Sequence, residues 1–164
     1  METLINWVLL LLLFFIFGLA HELGHAAMSR IFFKDKGWII TMGSGPAIIR
    51  TKRLVVNLWF FVEGKINYSV VDGKTSHQIL RSAGGFIVNI VFAALIFLFS
   101  IKYSEADVLP FWWRIVPLAL FANIVIVVVT MLPMKYFFGV VKGMPSDGLH
   151  ILQLIKNRKG KKGE

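Results

Sequence analysis

Three long apolar stretches divide a chain that is otherwise basic and rich in turn signals. The first covers 4–20 and continues amphipathically to about residue 28. A helix over 4–28 is roughly 37 Å long, enough to cross the hydrocarbon of a bilayer. The second stretch is 79–101, and the third is 109–132 with Pro117 as an expected kink. Between the first and second lie short β-prone runs at 38–42, 47–50, 54–62 and 65–71. They are separated by Gly43-Ser44-Gly45-Pro46 and Glu63-Gly64 and bounded by Lys36-Gly37 and Asp72-Gly73. This spacing predicts a small antiparallel sheet over 38–71. It is too short and apolar to stand alone, so it rests on the membrane or folds back onto the helices. Pro145-Ser146 opens a short amphipathic helix over 147–156, followed by a basic tail to 164. The expected architecture is an α-helical integral membrane protein. It has about three core transmembrane helices, with a small membrane-associated β-sheet between the first and second, in one domain over 1–164.

Composition agrees with that class. The chain is 57% hydrophobic and 16% charged, with a mean hydropathy of +0.72. A soluble domain of 164 residues carries more polar surface. A cleaved signal peptide needs a basic leading region, and only Glu2 is charged there. The net charge of +9 sits in loops and tail without a nucleic-acid-binding motif, so basic residues on the cytoplasmic side explain it and no nucleic-acid partner is expected. The absence of cysteine excludes disulfides and thiolate metal sites.

Charge also sets a topology. Eight Lys and Arg fall in 29–78 and seven in 134–164, while 102–109 holds only Lys102, beside Glu105 and Asp107. The positive-inside rule then puts the N-terminus out, the sheet in and the C-terminus in. Tyr103, Trp112 and Trp113 mark the outer interface as an aromatic belt. The expected location is a bacterial plasma membrane.

Chemistry concentrates at the cytoplasmic end of the first span, in His21-Glu22-Leu23-Gly24-His25. Two histidines at i and i+4 share one helix face and suit two ligand positions of a single Zn²⁺. Zinc lowers the pKa of a bound water, and Glu22 is placed to take its proton. Five residues is a short pattern that recurs by chance, but ionisable groups inside a span are costly and mark function. Gly24 would let another backbone approach closely. A catalytic site has a third protein ligand, and topology removes Glu2, Glu105 and Asp107. Asp147, Asp35, Glu63, Asp72, His77 and His150 remain open, with Asp147 equally readable as a helix N-cap. Asn89 and Asn123 are amides within spans and need partners. Either could position substrate or a developing oxyanion, or join two helices. Counting from the cytoplasmic ends, His21, Asn89 and Asn123 lie about 13, 12 and 18 Å deep.

With these motifs the chain resembles the site-2 protease family of intramembrane zinc metalloproteases. The likeness covers most of the sequence. It rests on HELGH, on Thr41-Met42-Gly43-Ser44-Gly45-Pro46, on Ala83-Gly84-Gly85-Phe86-Ile87-Val88-Asn89, and on Leu132-Pro133 followed by Met144-Pro145-Ser146-Asp147-Gly148. The resemblance implies Asp147 as third zinc ligand beside His21 and His25, Glu22 as catalytic acid and base, and Gly45 and Pro46 in the substrate-binding β-region. Phe86 departs from the family's usual Pro, and Thr130 from its usual Asn, which Asn123 would have to replace. The expected form is a bare catalytic core without a PDZ or CBS-like domain. The expected function is zinc-dependent hydrolysis of a peptide bond in or near a transmembrane segment. The substrate is a membrane protein or membrane peptide, the solvent is the bilayer, and an oligomer or regulatory membrane partner is left open. The alternative is a non-proteolytic metal-binding scaffold or accessory subunit of the same fold.

Overall fold

The computed structural model describes residues 2–102, 110–137, 139 and 141–160, the side chains of 61, 62, 110–113, 159 and 160 aside. The elements run α1 (Glu2–Phe33), β1 (Ile39–Arg50), β2 (Leu54–Asn67), α2 (Thr75–Lys102), α3 (Pro110–Met131) and α4 (Asp147–Gly160). Three of these helices are long and apolar enough to cross a membrane. Tyr103, Glu105, Asp107, residue 109, the side chains of Trp112 and Trp113, and the last four residues lie outside the described set.

Helix α1 is longer at both ends than the apolar run. Its last turn, Arg30 to Phe33, stays helical until Lys34 turns left-handed at φ 53, an end signal that a lysine does not advertise. Helix α2 likewise gains a polar first turn, Thr75 to Gln78, that hydropathy cannot register. Helix α3 runs through Pro117.

The four expected β runs merge into two long strands that pair antiparallel and are interrupted by bulges. Ile40, Thr41 and Met42 are flanked on both sides: Ile66, Lys65 and Gly64 along one edge, Leu54, Val55 and Val56 along the other. On the second edge the paired numbers ascend together, so that short stretch is locally parallel. The sheet stops at Asn67 rather than at 71. There the backbone leaves the ladder because Ser69 and Val70 turn their N–H groups to the Asp35 carboxylate.

Two apolar clusters place these parts. Phe17, Ala119 and Ala122, with Leu10, Leu13, Phe14, Ile96 and Ile126 around them, join α1, α2 and α3. Ala26, Ile40 and Met42, with Phe15, Leu19, Trp38, Leu54 and Ile66, hold the sheet against α1. Helices α1 and α2 cross at Gly24 and Gly84. A Cβ on Gly24 would stand 2.3 Å from the Gly84 carbonyl oxygen, so the crossing requires glycine. Gly24 thus permits the backbone approach expected of it.

Candidate metal centre

The i,i+4 spacing on α1 turns His21, Glu22 and His25 away from the exposed face, and all three are buried. Asp147 reaches them from the first turn of α4, 126 residues later in sequence. His21 Nε2 lies 3.0 Å from Asp147 Oδ2, His25 Nε2 lies 3.2 Å from the same oxygen, and the two Nε2 atoms are 3.1 Å apart. Among the described residues this is the one group of three or more His, Cys, Asp or Glu with ligand atoms within 4.8 Å of one another.

Asp147 is free to face the histidines because Ser146 caps α4 instead. Ser146 Oγ accepts from Leu149 N at 3.2 Å, as an N-cap does. Ser146 is fully buried; its hydroxyl also donates to Leu132 O, and its N–H donates to Met134 O. That knot fixes the start of α4 against the end of α3. Burial pushes the Asp147 carboxyl up, but the two histidines beside it, His25 first, hold it well below the usual carboxylate range.

Outer contacts orient the site further. His25 Nδ1 donates to the Arg81 carbonyl oxygen over 2.7 Å. A carbonyl only accepts, so the proton sits on Nδ1 and the Nε2 lone pair faces the cluster, as metal-ligating histidines require. The Arg81 side chain bonds Val70 O at 2.8 Å and Val71 O, between the rings of Phe33 and Tyr68. Gly85 lies beneath the histidines. A Cβ there would come within 2.4 Å of His21 Nε2 and 2.6 Å of His25 Nε2.

These residues fit a zinc ion. Bonds of about 2.0–2.1 Å to a tetrahedral zinc separate its ligands by about 3.3 Å, close to the three distances found. The donor set is two imidazole nitrogens and a carboxylate oxygen, and Gly85 keeps side-chain atoms out of the cradle. Three such ligands would leave one of four positions on the ion for water.

A cavity of about 410 Å³ opens beside the cluster. Its apolar wall includes Phe14, Met42, Val125, Ile126 and Val129, and its polar lining includes Glu22, Glu63, Lys65, Tyr68, Thr130 and Tyr136. Glu22 packs against Gly64 in β2. Burial raises both phenols, with Glu22 and then Asp147 adding to it at Tyr68, and Asp147 and then Glu22 at Tyr136; both stay neutral donors.

The other candidates are placed elsewhere. Asp35 is fully buried and saturated by Ser29, Gly37, Ser69 and Val70, so it organises the α1–β1 and β2–α2 links. His77 packs on Phe32 and Phe33, and His150 meets Ser82. Glu63 lines the cavity and accepts from Val141 N. Asp72 is exposed and outside the cluster. Asn89 and Asn123 are fully buried, and Asn123 Nδ2 donates to Asn89 O over 2.7 Å, joining α2 to α3. Neither lines the cavity, nor do Gly45 and Pro46; Thr130 does. Its hydroxyl bonds back to Ile126 O and Val127 O. Arg81, Tyr68 and Tyr136 carry no motif that singles them out. Gly85 lies within the Ala83–Asn89 segment of the resemblance, which gave it no role of its own.

Comparison with family models, with characterised proteins and with solved structures returns no match for this chain.

Proposed function

We propose that the chain is an integral membrane zinc endopeptidase that cleaves a peptide bond in or near a transmembrane segment of a membrane-bound substrate. One observation carries this reading: His21, His25 and Asp147 converge within 4.8 Å, beside Glu22, on the wall of a largely apolar cavity. Zinc held by these three groups would activate a water molecule and polarise the scissile carbonyl. Glu22 takes a proton from the attacking water as the O–C bond forms. It returns that proton to the amide nitrogen as the C–N bond breaks. His25 keeps its Nδ1 proton on the Arg81 carbonyl throughout, so its Nε2 stays available. The apolar wall of the cavity receives side chains of an unwound segment, and Tyr68 and Tyr136 offer hydroxyl donors beside it.

Membrane insertion rests on the three long apolar helices and their outward-facing large hydrophobics, such as Leu95, Phe97 and Leu98. The Arg114–Glu2 ion pair of 2.7 Å places the start of α1 and the beginning of α3 at one end. The proposed orientation, with the N-terminus out and the zinc site towards the cytoplasm, rests on the distribution of Lys and Arg along the chain.

The test compares wild-type and Glu22→Gln protein in the membrane of an expressing cell. Both retain about one zinc, and only the wild-type yields fragments cut at membrane-embedded sites. Equal cleavage by the variant would sink the mechanism. Zinc binding without cleavage by the wild-type would leave the metal-binding scaffold.

A further inference from the structure

A groove of about 510 Å³ lies outside the metal centre, lined by Leu23, Ala26, Ala27, Arg30, Lys36, Trp38 and Arg53. It divides into two chemically different ends. Arg30, Lys36 and Arg53 bring three cations to one groove. The Arg53 guanidinium stacks 4.5 Å above the Trp38 ring and donates to Lys36 O, which fixes its position. Among the described residues no ion pair involves any of the three. The neighbouring acid, Asp35, is fully buried and holds other partners. The positive charge is therefore concentrated and uncompensated.

The other end is an apolar slot. Leu23, Ala26, Ala27 and Arg30 follow one another at helical spacing on α1, so the slot runs along the helix axis for about 10 Å from the cation end towards the middle of the span. Leu23 is 46% exposed, and Ala27 is exposed and too small to fill the space. Where α1 crosses a bilayer, the cations sit at headgroup level and the slot points into hydrocarbon.

We infer that this groove binds one anionic phospholipid, with the phosphate-bearing headgroup among Arg30, Lys36 and Arg53 and an acyl chain along Leu23 and Ala27. Charge complementarity selects the headgroup, and the direction of the slot selects a lipid over a free phosphate. Each cation near an anionic surface adds attraction that a zwitterionic lipid does not supply. The inference needs membrane insertion but not proteolysis, so its readout is lipid retention alone.

The test is native mass spectrometry of the detergent-purified full chain with added phosphatidylglycerol or phosphatidylcholine. One phosphatidylglycerol is retained in preference to phosphatidylcholine. A triple Arg30→Gln, Lys36→Gln, Arg53→Gln variant loses that preference about tenfold or more, while Lys156→Gln with Arg158→Gln keeps it. Ala27→Phe fills the slot without touching the charges and also lowers retention. Equal retention of the two lipids, or unchanged retention in the triple variant or in Ala27→Phe, overturns the proposal. So does displacement of the lipid by an equal concentration of inorganic phosphate.

Discussion

Ser82 Oγ and His150 Nδ1 lie 2.8 Å apart and tie α2 to α4 three residues beyond Asp147. Burial keeps the His150 pKa below its ordinary value, which favours the neutral imidazole that shares this hydrogen bond with the Ser82 hydroxyl. The adjacent Arg81 carbonyl holds His25. One turn of α2 therefore orients one proposed histidine ligand directly and the proposed aspartate ligand through its helix. Ser82→Ala and His150→Ala should each lower zinc affinity about tenfold or more, the usual cost of losing an outer partner. A chelator competition on detergent-purified protein measures it. Unchanged affinity in both variants would remove α2 from the support of Asp147.

Gly85 makes the strongest demand on space. Alanine there puts a Cβ within 2.4 Å of His21 Nε2. Elsewhere in a helix this exchange stabilises by up to about 1 kcal/mol. Gly85→Ala should therefore leave the helix folded and abolish zinc retention, seen as metal content below one tenth of the wild-type beside unchanged circular dichroism. Full occupancy in that variant would show that the zinc, if bound, sits elsewhere.

How much of this was legible follows from how far apart the partners are. HELGH and the Gly24 approach are local patterns on one helix, and the three apolar spans are visible by length alone. Asp147 is not placed by spacing. Ser146 and the 132–146 segment swing α4 back across 126 residues, and only the resemblance of the Asp147-Gly148 pair singled it out. The Arg81 carbonyl and the Ser82 hydroxyl leave no trace in a residue pattern, because any residue has a carbonyl and most serines are idle. Depth counting put Asn89 level with His21, yet depth does not say which way a side chain faces. The Asn123 amide turns to the α2–α3 seam and meets the Asn89 backbone carbonyl.

Asp35 gives the fold a pH dependence separate from the metal. Burial pushes its carboxyl up, but the Ser69 hydroxyl and the N–H groups of Gly37, Val70 and Ser69 together hold it below the ordinary value. A carboxylate depressed in the folded state contributes stability above the unfolded pKa of about 3.9 and loses it as pH falls through the lower folded value. Asp35→Asn points an amide at N–H and O–H donors, costing about 1–3 kcal/mol near neutral pH. Thermal unfolding in detergent should show the gap between wild-type and variant closing below about pH 4. A gap constant down to pH 3 would exclude the carboxylate as its source.

Asn123 separates structure from catalysis. Its Nδ2 donates to Asn89 O, while Asn123 Oδ1 and both polar atoms of the Asn89 side chain are buried without a hydrogen-bond partner. An interhelical bond of this kind in a membrane is worth about 0.6 kcal/mol and at most about 1.7. Asn123→Ala should weaken α2–α3 packing by that amount and leave zinc content intact, because the residue does not line the cavity. Cleavage of a substrate found by the Glu22→Gln comparison should then fall by no more than the loss of folded protein. Thr130 does line the cavity, so Thr130→Val, which removes the hydroxyl at nearly constant volume, should change KM or site preference with stability nearly unaffected. A selective loss of turnover in Asn123→Ala, at full zinc content and full fold, would instead give the α2–α3 amides a part in binding the substrate backbone.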